Sequence, residues 1–324
     1  MSDFLKSKQL YMLFVLPFIV MAIAFTGSYF SFVPAESFQV KGCIDIAFVH
    51  RLDKFWSSVI GGITVLGIAY MIFFINEQFK LLQQTTTLPS LIYVLLTSGV
   101  MISLGFDYLL ISVFILTIAI GRLQLAINDI KGNHTLFDFG ALVVLAVAIY
   151  PKFVLLVVWA MCVVFFSGRS TLKDISALLL GLITPVAFLV FYYFWTDRLA
   201  QLPERFVDNL MAGEYIQHLP VIEFIRLGIL LFLLMVALIN FSVHYAILVV
   251  GYRRGILAFI SMLFFLSVTL FVIPVNYYDF MYIFALPLAF VYSLFFLSHR
   301  VAFFGNLLFL LFLGACFLAY WCLG

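Results

Sequence analysis

The sequence predicts an all-α protein: a polytopic transmembrane bundle of about eleven spans with its N-terminus in the cytoplasm. Three observations lead there. Of the 324 residues, 66% are hydrophobic and only 10% charged, with mean hydropathy +1.22, whereas a soluble domain is about 45–50% apolar and about 25% charged. Apolar runs of about 18–22 residues recur between polar clusters, and about 20 residues cross the hydrocarbon core as a helix. The cations also alternate in side. With the N-terminus inside, Lys6, Lys8, Lys80, Arg122, Lys131, Arg169, Lys173, Arg253, Arg254 and Arg300 all fall in the cytoplasm, as the positive-inside rule requires. Among the short outward turns only Lys152 is basic. These features predict a multi-pass integral membrane protein. A net charge of +2 gives no reason to expect nucleic acid.

The elements follow in order. Leu10–Tyr29 is span one, an uncleaved helix with a signal-like start. Residues 31–56 form a long outward loop, in which 44–55 alternate apolar and charged residues like an amphipathic helix lying on the membrane. Span two covers 57–75. A polar elbow at 76–87 leads to span three, opened by Pro89 in its first turn, where proline is tolerated. It ends near Gly105, and Asp107 starts span four, which closes at Arg122. After an elbow at 124–135, the apolar runs 137–149 and 153–166 are short for independent spans. They form either a tight transmembrane hairpin turning at Tyr150-Pro151-Lys152 or a partly re-entrant pair; flanking polar residues can lengthen each by a turn, which favours the hairpin. A basic elbow at 168–174 precedes span seven, 177–194, where Pro185 predicts a kink. Residues 195–223 form a second long outward loop. Spans eight to eleven are 224–241, 255–273, 280–297 and 306–321. The chain is thus one integral membrane domain over 1–324, in four parts: 1–75, 76–196 (core spans and hairpin), 197–223 (outward loop) and 224–324.

Most of the fifteen acids face outward in this topology, chiefly because loops meet water. Asp107 stands apart. It joins two long spans across an almost absent loop, where a carboxylate has little access to water and is either paired, a helix cap or functional. Lys152 is the matching cation. A lysine at a helix end commonly snorkels, yet it can also neutralise a phosphate as a point charge. The same logic extends to Arg198, Arg205 and Arg226, since arginine pairs bidentately with phosphate oxygens. His50 and His218 are single loop histidines. The four cysteines show no paired spacing, so no disulfide frame or metal centre is expected, and no nucleotide-binding glycine loop is present.

Two resemblances join this reading. Asn76, Phe79-Lys80-Leu81, Thr87-Leu88-Pro89 and Tyr93-Val94-Leu95-Leu96 lead into Phe137-Asp138-Phe139-Gly140 and the Tyr150-Pro151 turn. Gly181-Leu182-Ile183-Thr184-Pro185 and Tyr192-Tyr193-Phe194 complete the set. This pattern resembles a family of inner-membrane proteins of Bacteroidota without assigned chemistry, over roughly residues 70–200. The wider layout is similar to the membrane core of the C-type glycosyltransferases, which use polyprenyl-phosphate-linked sugars. That resemblance implies an acid, at Asp45 or Asp53 and at Asp107, that activates or orients an acceptor hydroxyl. It also implies cations, Lys152 with Arg198 and Arg205, that hold the lipid phosphate. The chain departs from that pattern. It is shorter, has no large outward soluble domain, and its first-loop acids are separated. A polyprenyl-phosphate lipid is the ligand the resemblance implies, and no other cofactor is. The two resemblances imply the bacterial inner membrane as the location. Three readings therefore stand: a transferase acting on a lipid-linked sugar, a non-catalytic subunit bound to other envelope membrane proteins, and a lipid or solute transporter. The third is the weakest, because the spans offer little polar lining beyond Asn240, Ser261 and Thr269.

Overall fold

A computed structural model describes residues 10–29, 42–44, 46, 49, 52–128, 132–169, 171–212, 221–245, 250–275, 277–298 and 302–321. These form twelve α-helices and one 3-10 turn, with no strand among the described residues. In chain order the helices are α1 (Leu10–Tyr29), α2 (Lys54–Phe79), α3 (Leu88–Leu104), α4 (Tyr108–Asn128), α5 (Asn133–Ile149) and α6 (Leu155–Phe166), with the turn Pro151–Phe153 between the last two. There follow α7 (Leu172–Trp195), α8 (Gln201–Met211), α9 (Val221–His244), α10 (Val250–Val272), α11 (Tyr277–Ser298) and α12 (Ala302–Trp321). Five of them, α2, α4, α7, α9 and α10, are long and apolar enough to cross a membrane. The protein is thus a helical membrane protein.

Helix starts follow local chemistry. Proline enters α3 at its first turn, where no intrahelical N–H is lost. Thr171 caps α7 by accepting the Asp174 N–H at 3.2 Å, while its hydroxyl donates to the Asp174 carboxylate at 2.7 Å. This reciprocal bonding at the first turn starts the helix five residues before the apolar run. Pro185 lies inside α7, which continues unbroken to Trp195. The hairpin is present. Polar residues from Asn133 lengthen α5 to 17 residues, while α6 has only 12, about 18 Å at helical rise.

The centre of the bundle is α11, buried from Met281 to Leu297 except at Leu294. It packs on α3, α9 and α10; Phe290 stacks on Phe259 of α10 at 4.1 Å, and the Tyr292 hydroxyl donates to the Leu230 carbonyl of α9 at 2.8 Å. At the periphery α7 buries few of its residues. Its inner edge meets α5 backbone to backbone: a methyl on Gly181 would sit 2.2 Å from the Phe137 carbonyl oxygen, and one on Gly140 would sit 2.9 Å from that of Leu178. Small residues at such a crossing allow the close approach that substitutes for hydrophobic drive within lipid.

Of the amphipathic helix expected over 44–55, Asp45, Ala47, Phe48, His50 and Arg51 lie outside the described residues, and from Lys54 the chain already belongs to α2. The second loop holds a clearly amphipathic helix. It is α8, with Leu202 and Phe206 half-buried on one side and Glu204, Val207 and Asp208 exposed on the other.

Candidate functional site

The joints α3–α4, α5–α6 and α10–α11 come together at one end of the bundle. At the first joint Gly105 has φ +64°, a conformation that suits glycine, and the Phe106 N–H donates to Ser57 Oγ of α2 at 2.9 Å. The chain then turns into α4 through Asp107, whose carbonyl accepts from the Leu110 and Ile111 N–H groups at 3.1 and 3.2 Å. Its carboxylate accepts the Tyr108 N–H at 2.6 Å. Asp107 is therefore a helix cap by its backbone and an acid at the bundle end by its side chain.

The Tyr150-Pro151-Lys152 turn supplies the cation. Lys152 has no exposed surface, and Asp279, in the first turn of α11, is 3% exposed. Their charged atoms lie 3.9 Å apart. The same carboxylate oxygen of Asp279 accepts the Tyr150 hydroxyl at 2.6 Å, a short charge-assisted bond. Asp107 lies within electrostatic reach of both Asp279 and Lys152. Burial raises the Asp107 carboxyl from 3.8 to about 7, with Asp279 adding to the rise, while the Tyr108 N–H and Lys152 oppose it. Two buried groups around this cluster have no hydrogen-bond partner among the described residues, Lys152 Nζ and the Tyr282 hydroxyl; Tyr282 also lies within the field of Asp107.

A strap crosses this end. Residues 42–44 and 46 lie over the hairpin: the Cys43 N–H donates to the Ala148 carbonyl at 2.9 Å, and the Ile46 N–H to the Tyr108 hydroxyl at 3.0 Å. The Cys43 carbonyl accepts from the Tyr193 hydroxyl at 2.7 Å. That hydroxyl in turn accepts from Arg205 Nη1 at 3.4 Å, which ties α8 into the same end.

The structure thus brings together Asp107 and Lys152, and adds Asp279 and Tyr150, which the sequence reading did not single out. Asp279 resembles Asp107 in position, an acid opening a span after a short turn, and that parallel was the available signal. Asp53 is exposed at the start of α2, one helical turn from the Ser57 that holds Phe106. Asp45 lies outside the described residues, between Ile44 and Ile46 of the strap. Arg198 is exposed on the α7–α8 linker and Arg205 is half-buried. Arg226 is buried in α9 and paired with Glu223 at 3.3 Å. Among the described residues no three His, Cys, Asp or Glu side chains group as metal ligands.

The chain matches no protein family, no curated protein and no solved structure. Its chemistry must be argued from this geometry. Lys152, Asp279 and Tyr150 form a sealed support, and Asp107 is the half-buried member through which the cluster meets its surroundings. A carboxyl titrating near neutrality can take or give a proton at the working pH.

Proposed function

We propose that the protein is an envelope membrane protein with a transferase-like site, using a polyprenyl-phosphate-linked sugar at the outer face of the inner membrane. Asp107 serves as the base toward an acceptor hydroxyl. In this reading the five long apolar helices and six shorter ones make eleven crossings. The N-terminus lies in the cytoplasm, and Asp107, Lys152 and Asp279 lie at the outward end of a core like that of the C-type glycosyltransferases. The observation that carries the reading is the convergence of Asp107 with Lys152 from separate joints, with the carboxyl poised near neutrality. Lys152 is too deeply buried to grip a phosphate directly; its part is to set the field at Asp107 and to hold Asp279. Arg198 is the exposed cation that meets the phosphate, and Asp53 stands at the mouth.

Native mass spectrometry of gently extracted protein, followed by transfer assays of Asp107→Asn and Asp53→Asn, tests this. A bound polyprenyl-phosphate sugar, and loss of transfer in a folded, inserted Asp107→Asn, is the expected result. Full activity in both variants removes the acid assignment.

One observation favours a second reading, a non-catalytic subunit of an envelope complex. Lys152 and Asp279 are sealed as a structural lock, and α7 and α9 leave broad apolar faces exposed. Stoichiometric protein partners without such a lipid, and tolerance of Asp107→Asn, are its marks. Transport of a lipid or solute is the third reading, and the described spans give it no continuous polar path.

A further inference from the structure

Between α5 and α7, roofed by α8, lies a groove of about 300 Å³ whose walls include Val147, Pro185, Leu189, Pro203, Phe206 and Cys43. Apart from the Cys43 thiol, every side chain lining it is apolar. Cys43, itself part of the strap, is buried, while Val186 on the α7 wall is 47% exposed, so the groove opens sideways, toward lipid where α7 spans the membrane. A peptide laid in it would leave its N–H and C=O groups unsatisfied, whereas a hydrocarbon chain would not. Its rim carries a charge. Arg205, next to Phe206 on α8, acts electrostatically on the Cys43 thiol in the wall. Among the described residues its one hydrogen bond goes to the Tyr193 hydroxyl, so most of the five guanidinium donors remain for an anion.

We propose that this groove is a binding site for an anionic diacyl phospholipid, with one acyl chain between α5 and α7 and the headgroup phosphate on Arg205. The occupant is the bilayer's own anionic lipid, because the groove opens to the bilayer and sets a guanidinium beside an otherwise apolar slot. The headgroup selects through charge-assisted bonds from the guanidinium, and the acyl chain is held by van der Waals packing against the apolar walls. The site is separate from Asp107 and does not depend on the transferase reading.

The test uses the full chain in nanodiscs of equal phosphatidylglycerol and phosphatidylcholine, released into the gas phase for native mass spectrometry. One phosphatidylglycerol is expected to stay bound in preference to phosphatidylcholine. Arg205→Gln should lower that retention about ten-fold. Leu189→Trp, which fills the groove from the lipid-facing helix, should lower it similarly, and Asp107→Asn should leave it unchanged. Inorganic phosphate at millimolar concentration should not displace the lipid. Equal retention of both lipids, or retention unmoved by Arg205→Gln and Leu189→Trp, means annular lipid only and overturns the proposal. Displacement by inorganic phosphate, or by an equimolar polyprenyl phosphate, overturns the assignment of the occupant.

Discussion

At Asp107 one residue meets two demands, capping α4 and carrying a carboxyl that burial keeps protonated toward about pH 7. The folded chain holds this proton up to about 7, whereas an unfolded aspartate sheds it near 3.8. Stability is therefore lost as pH rises between those values and is flat above them. Asp107→Asn keeps the cap acceptor and removes the titration. We expect its thermal midpoint to change less than the wild type's between pH 5 and pH 8. At pH 8 it should be the more stable by on the order of 2 kcal/mol, discounted because Asp107 is only half-buried. An equal pH dependence in the variant would place the titration elsewhere. The Lys152–Asp279 pair behaves differently. Lys152→Met leaves a buried carboxylate with only Tyr150, and should cost about 3–5 kcal/mol. Lys152→Met combined with Asp279→Leu should regain most of that loss, as read in detergent unfolding of the two single variants and the double. The sequence marked Asp107 and Lys152 because each is alone in a short apolar joint. It did not mark Asp279 or Tyr150, because their importance comes from a partner more than a hundred residues away in the chain.

Among the elements, the α5–α7 contact is the most exacting. Gly181→Leu should abolish folded, inserted protein, and Gly181→Ala should cost roughly 2 kcal/mol or more, since its added methyl meets a carbonyl and not a flexible side-chain end. Alanine at Gly228, where nothing lies within 4 Å, serves as the neutral comparison. Expression and size-exclusion behaviour of the three report it. Most helices were legible from apolar length and polar punctuation, Leu10–Tyr29 among them. The start of α7 was not, because Thr171 begins that helix through cap bonding that hydropathy does not register. In the same way α8 lay hidden in a segment rich in charge, its apolar side too narrow to stand out in a run of sequence.

For the molecule as a whole, composition was decisive: so apolar a chain has few ways to satisfy its backbone inside a bilayer, and the all-helical bundle is one of them. Orientation rests on charge asymmetry alone and is open to a direct experiment. In a Cys162→Ser, Cys322→Ser background, where Cys43 and Cys316 are buried, a cysteine at exposed Asp53 should react in intact cells with a membrane-impermeant maleimide. One at exposed Lys173 should react only after lysis. The opposite pattern would invert the bundle and move the Asp107 cluster to the cytoplasm.

The strap also constrains the order in which the protein is made. Residues 42–46 leave the ribosome well before the groups that hold them, namely Tyr108, Ala148 and lastly Tyr193, 150 residues beyond Cys43. Through the insertion of six helices that segment must wait outside the bundle. Asp279 arrives later still, so Lys152 is made before the carboxylate that pairs with it. The site at the bundle end is thus among the last features to close. A chain stalled before α11 would hold a buried lysine with no acid on α11 to meet it, a state that membrane quality control is well placed to recognise.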